Sequence, residues 1–150
     1  MRKIVSLLIL AILILMGCNS GKLDLRKMKH SLDVKLSKYF DALTNNNKMA
    51  MYTLEPKWRT SNLAYSDYMP TLLKERREKK FVSAFVRDIR YDLLHKKAIV
   101  TVHFMKEFKP SPTSPVILKP AFIEKQLWIY KNGEWGYSKT IKRIYPQKKS

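Results

Sequence analysis

The sequence predicts an α+β domain in which N-terminal helices pack on a curved antiparallel sheet of about four strands, following a helical leader. Three observations predict it. Apolar residues recur at helical spacing as far as about residue 80, and at a spacing of two from Phe81 onward. Prolines and an Asn-Gly pair divide the second half into strand-length pieces. Helices and strands are segregated along the chain, which places the helices on one face of an antiparallel sheet. A twisted sheet over helices forms a cone whose mouth can hold a ligand. The 150-residue length favours one domain, and 45% hydrophobic with 11% aromatic content excludes a disordered chain.

The first domain helix is expected from Ser31 to Thr44. Leu32, Leu36, Tyr39, Phe40 and Leu43 fall on one helical face, with Ser31 as N-cap. Asn45, Asn46 and Asn47 form a stop and turn. A second helix runs from Lys48 to about Leu54, before Pro56. Residues 59–67 read as irregular. A third helix starts at Pro70, with Leu72 and Leu73 inward and Lys74 through Lys80 covering its outer side.

The strands follow. Phe81 to Leu93 is rich in Val, Ile, Phe and Tyr, and His95, Lys96 and Lys97 form a turn. Ala98, Val100, Val102 and Phe104 alternate with Ile99, Thr101, His103 and Met105. Pro110, Pro112 and Pro115 make a loop. Phe122 to Tyr130 alternates again, with Leu127 and Ile129 on one face and Gln126, Trp128 and Tyr130 on the other. Pro120 marks an edge or bulge. Asn132-Gly133 is a tight-turn signal, and Trp135 to Ile144 returns as the last strand. Trp128 and Trp135 flank this hairpin and can pair across it.

Ahead of the domain, Arg2 and Lys3 precede an apolar run from Ile4 to Met16, broken only by Ser6. As a helix this run would reach about 20 Å at 1.5 Å per residue, short of the hydrocarbon core of about 30 Å. It is apolar on every face, unlike a surface helix, and its layout is that of an export signal. Residues 1–17 are therefore read as a signal peptide, 18–30 as Cys18 and a flexible tether, 31–146 as the domain, and 147–150 as a basic tail.

Leu15-Met16-Gly17-Cys18 resembles the lipobox of bacterial lipoproteins, with Met16 bulkier than the family's usual residue there. The resemblance implies lipid attachment at the Cys18 sulfur, cleavage before Cys18 by signal peptidase II, and a location in the cell envelope. Two or more acyl chains give stable anchoring where one is marginal. By the same resemblance, Asn19 in place of Asp favours the outer membrane over the inner. Cys18 is the one cysteine of the chain, so an internal disulfide is excluded.

Formal net charge is +18, and Arg2 and Lys3 account for only two of those charges. Such a field attracts anionic lipid, a phosphorylated glycan, an acidic envelope protein or nucleic acid; export makes nucleic acid the least expected of these. The basic clusters are Lys74/Arg76/Arg77/Lys79/Lys80, Lys96/Lys97, Lys139/Lys142/Arg143 and Lys148/Lys149, each ordinarily a solvated face.

Tyr39-Phe40-Asp41-Ala42-Leu43, Met51-Tyr52-Thr53-Leu54 and the hairpin from Trp128 to Trp135 resemble the nuclear transport factor 2-like (SnoaL-like) fold over residues 30–145. Enzymes of that superfamily place a Tyr, Asp or His inside the cone, which makes Tyr39, Asp41, Asp88 and His103 the candidates here. No motif transfers a catalytic role to any of them, and His103 reads as a core or sheet-face histidine. His30, His95 and His103 are too scattered for a zinc site. Neither a phosphate-binding glycine loop nor a nucleophile elbow occurs, so no cofactor is expected. Trp58, Tyr65 and Tyr68, in the irregular segment, are candidates for an aromatic cleft. The residues point to a non-enzymatic binding or accessory domain, with proton transfer in the cone as the alternative.

Overall fold

A computed structural model describes residues 24–146. The expected signal peptide, Cys18, the start of the tether and the tail at 147–150 lie outside the described residues. Contacts divide the chain into two units, residues 1–33 and 34–150.

In the first unit the described residues, 24–33, are helical. This corrects the expected tether through residue 30 and the helix start at Ser31. Ser31 is no cap: its hydroxyl donates to the Met28 carbonyl at 2.8 Å, a bond serine makes inside a helix. Leu25, Arg26, Lys27 and Met28 are unbranched at Cβ and lose little rotamer freedom in a helix. The charges of Asp24, Arg26, Lys27 and Lys29 suit an exposed helix as well as a tether.

The helical run, α1, covers residues 24–44. In the second unit it buries Leu36, Tyr39, Phe40 and Leu43. It ends through Asn46 at φ 53, with the Asn47 N–H on the Ala42 carbonyl at 2.8 Å. Asparagine tolerates this left-handed turn. Asn47 then caps α2 (Lys48–Leu54), its side chain accepting from the Ala50 N–H at 2.9 Å. Two short helical turns follow where an irregular segment was expected: α3 (Lys57–Thr60) and a 3-10 turn at Tyr65–Asp67. α4 (Thr71–Arg77) has Pro70 as its N-cap rather than its first helical residue, and buries Leu72 and Leu73.

Four strands form an open antiparallel meander in the order β1 (Ser83–Asp92), β2 (Lys97–Phe108), β3 (Ile117–Lys131), β4 (Glu134–Ile144). The helices pack against it, giving the expected α+β architecture. Ala98, Val100, Val102 and Phe104 form the buried side of β2, as their alternation predicts. On β3 the buried side carries Phe122, Glu124, Gln126 and Trp128, so the phase with the more polar residues is the one that faces inward. β3 starts earlier than Phe122, and Pro120 sits beside the register shift opposite Met105, the bulge that a strand proline calls for. α1 meets the sheet through edge-on aromatic contacts, Tyr39 on Trp128 at 5.4 Å and Phe40 on Phe104 at 6.3 Å. Phe104 in turn stacks on Phe122 at 4.6 Å. Among the described residues, no helix is long and apolar enough to cross a membrane.

Candidate functional site

Two groups of charged and polar side chains lie within the second unit. The first is built on the inward residues of β3 and β4. Glu124 is fully buried. Its Oε1 accepts from Arg143 Nε at 2.7 Å and also from Nη2. Its Oε2 accepts from Gln126 at 2.9 Å and Thr140 at 3.3 Å. Gln126 accepts in turn from the Trp128 indole at 3.2 Å. The same Arg143 reaches Glu75 of α4 at 2.7 and 2.9 Å. Its guanidinium lies 4.3 Å from the Phe122 ring centre. Burial works against the Arg143 charge, but the hydrogen bonds to Glu75, Tyr145 and Glu124 outweigh it and raise its pKa. This corrects two expectations. Glu75 is buried rather than on the outer side of its helix, and Arg143 is an ion-pair centre rather than part of a solvated patch.

The second group surrounds a cavity of about 300 Å³, lined by Tyr39, Glu55, Arg59, Tyr68, Leu72 and Tyr137 among others. That is the lower end of the range of small-molecule pockets. Glu55 ends α2, and Pro56 begins the turn that brings Arg59 beside it one helical turn later. Glu55 Oε2 pairs with Arg59 at 3.2 Å, with side chains 5% and 33% exposed respectively. The Tyr68 hydroxyl donates to Glu55 Oε1 at 3.0 Å. Arg59 also donates to the Tyr137 carbonyl. Burial raises the Glu55 pKa, while Arg59, the Tyr68 hydrogen bond and Lys35 pull it back. Burial likewise raises the hydroxyls of Tyr39 and Tyr68, reinforced by the Glu55 charge. Both phenols therefore stay protonated and serve as donors. The cavity presents phenol and guanidinium donors around one carboxylate whose pKa burial raises.

α3 holds Arg59 in place by packing tightly against the end of the sheet. A Cβ at Gly136 of β4 would lie 2.6 Å from both Pro56 and Trp58 side-chain atoms. The Lys57 N–H donates to the Glu134 carboxylate at 3.0 Å. Trp58 Nε1 is buried there without a hydrogen-bond partner.

Of the four residues that the sequence placed inside a cone, only Tyr39 lines this cavity. Asp41 is exposed and borders a separate groove with Ala50 and Leu54. Asp88 is exposed and pairs with Arg90 at 3.3 Å. His103 lies on the sheet face away from the core, its ring 5.4 Å from that of Phe85. Among the aromatic candidates, Tyr68 lines the cavity, Trp58 packs against Gly136, and Tyr65 rests on Tyr52 at 5.4 Å. Trp128 and Trp135 do not pair with each other: their cross-strand partners are Tyr137 and Tyr130. Arg76 leaves the expected solvated face, donating to the Thr44 carbonyl at 3.0 Å, while Arg77 stays exposed as it donates to the Asn46 side chain at 3.0 Å. Glu55 and Arg59 escaped the sequence reading. Their one signal was a Glu and an Arg four apart across a proline. Among the described residues, no group of three or more His, Cys, Asp or Glu is placed to hold a metal ion. No protein-family model matches this chain, and no curated protein or solved structure does so either.

Proposed function

We propose that the chain is a lipid-anchored accessory domain of the bacterial cell envelope that binds a partner rather than catalysing a reaction. The position of its single cysteine carries this reading. Cys18 directly follows an apolar run and a small residue, where a lipobox needs it. Acyl chains there would hold the domain at a leaflet, and Asn19 favours the outer membrane where the organism has one. The binding role is supported by the pairing of the buried carboxylates, since Glu124 and Glu75 share Arg143 and Glu55 has Arg59. Register shifts at Val86/Asp88, Phe104/Met105 and Lys125/Gln126 are bends of the kind that would curl the sheet into a nuclear transport factor 2-like cone.

The test is the intact mass and detergent partitioning of the full chain and of Cys18→Ala, expressed in a bacterium. The wild type should lose residues 1–17 and gain diacylglyceryl, while Cys18→Ala should remain at precursor mass. A wild-type product that is cleaved, soluble and free of lipid removes the reading.

A second reading, proton transfer on a small apolar substrate, is favoured by one observation: buried Glu55 carries the Tyr68 hydroxyl at the wall of a cavity. Glu55-dependent deuterium exchange into small enolisable ketones in heavy water would establish it. Equal exchange by Glu55→Gln would eliminate it.

A further inference from the structure

The outer face of the sheet is built unlike an ordinary wet sheet face. Strand register sets Phe85, His103, Ile123 and Ile144 in one cross-strand row. In the next row Lys125 stands directly opposite Lys142, and in the following row Leu127 stands opposite Lys139. Phe85 is 44% exposed, Ile144 40% and Ile99 37%. A sheet with one face on the core ordinarily shows polar residues to water on the other, whereas this one shows aliphatic and aromatic side chains with lysines among them. Like charges directly opposite on neighbouring strands are destabilising. Among the described residues, no carboxylate lies within ion-pair distance of Lys125, Lys139 or Lys142. Asp88, which ends the Lys125 row, is occupied by Arg90.

We propose that this face is the surface the domain lays on an anionic lipid leaflet. The proposal rests on the anchoring reading above, which keeps the face close to a bilayer. The chemistry on the face supplies what that occupant needs. Three lysine ammoniums answer headgroup phosphates, and anionic lipid relieves the Lys125–Lys142 repulsion that no carboxylate among the described residues relieves. Phe85, Ile123, Leu127 and Ile144 can enter the headgroup–acyl boundary while the lysine stems lie along them and keep their charges at the surface. Lysine is a point charge without the fork that selects a planar carboxylate, so the face matches diffuse phosphates better than the side chains of an acidic protein.

The experiment reconstitutes the full chain in vesicles of phosphatidylcholine, with or without phosphatidylglycerol, and reads lysine labelling site by site by mass spectrometry. Labelling of Lys125, Lys139 and Lys142 should fall at least about fivefold in the anionic vesicles, the effect expected of one lysine at such a surface. Labelling of Lys38 and Lys57 should not change, and high salt should restore the three. Equal labelling in both vesicles overturns the proposal, as does equal protection in both. Protection that follows protein density rather than lipid charge assigns the face to a second copy and also overturns it. The Lys125→Gln/Lys142→Gln variant should lose the protection at Lys139 with an unchanged or higher denaturation midpoint. A lowered midpoint would make the pair structural and would count against the proposal. The intact mass of the same sample reports Cys18 separately. A chain that is unlipidated yet protected keeps the surface and loses the anchor.

Discussion

Among the described residues of the second unit, arginine meets a buried carboxylate around Arg143 and around Arg59, and the two places differ in what the pairing leaves over. Around Arg143, the Nε and both terminal nitrogens have partners, and each oxygen of the fully buried Glu124 accepts at least one hydrogen bond. Everything polar there is answered from within the fold, so the group ties α4 to β3 and β4. Around Arg59 the chemistry is the same, but a third of its side chain is exposed and the Glu55 carboxylate borders a cavity. Burial raises Glu55 there despite its partner. A satisfied network is a structural fastening; the same ion pair at a cavity wall keeps donors and an acceptor available to a ligand.

The sharpest way to break this comparison is to remove each arginine in turn. Arg143→Met leaves Glu124 and Glu75 without their cation, and breaking a buried pair in this way costs about 3–5 kcal/mol. Arg59→Met removes a partly exposed partner and should cost about 1 kcal/mol or less. Urea denaturation of the two variants beside the wild type gives both numbers. Equal losses would mean that the two sites are of one kind and that the cavity pair is as structural as the other.

The network was hidden from the sequence for the reason that makes it expensive to break. In β2 the inward residues are Ala98, Val100, Val102 and Phe104, so period two and apolarity coincide and the buried side can be read directly. In β3 the inward phase runs Phe122, Glu124, Gln126, Trp128. Glu124 is satisfied there by Arg143 and Thr140, brought alongside by β4, and Gln126 in turn by Glu124 and the Trp128 indole. A partner on another strand leaves no mark on local periodicity. The turns behaved differently, because their chemistry is local. Asn46, Asn47 and the Asn132-Gly133 pair lie where the sequence put them, with Asn46, Asn132 and Gly133 at positive φ. The cavity was half legible. Tyr39 and Tyr68 were on the candidate list, but the charged pair between them depends on how α3 packs against β4, which no residue spacing records.

That packing gives the next test, one that should touch the cavity and spare the network. Gly136→Ala places a Cβ 2.6 Å from Pro56 and Trp58. Pro56 belongs to backbone and ring and cannot swing aside, so α3 must shift. Overpacking of this kind costs about 1–3 kcal/mol. The chemical shifts of Arg59 and Tyr68 should move while those of Gln126 and Thr140 stay fixed. A variant as stable as wild type, with an unmoved Arg59, would show that α3 is not seated by this contact.

The smallest effect is a pH slope, and its sign follows from the Glu55 environment. Burial favours the protonated carboxyl and so raises its folded-state pKa above the ordinary value of 4.5. Between those two values the folded protein holds a proton that the unfolded chain has released. Its contribution to stability is therefore complete below pH 4.5 and is lost as pH rises through the folded value. Glu55→Gln cannot titrate and should lack this component. The difference in stability between wild type and Glu55→Gln, followed by thermal denaturation across the mildly acidic range, should thus move against the wild type as pH increases. A difference that stays constant would mean that water in the cavity solvates Glu55 as bulk water does. A difference that moves the other way would mean that Arg59 overcomes burial, and the cavity pair would then be a stabilising ion pair like the one around Arg143.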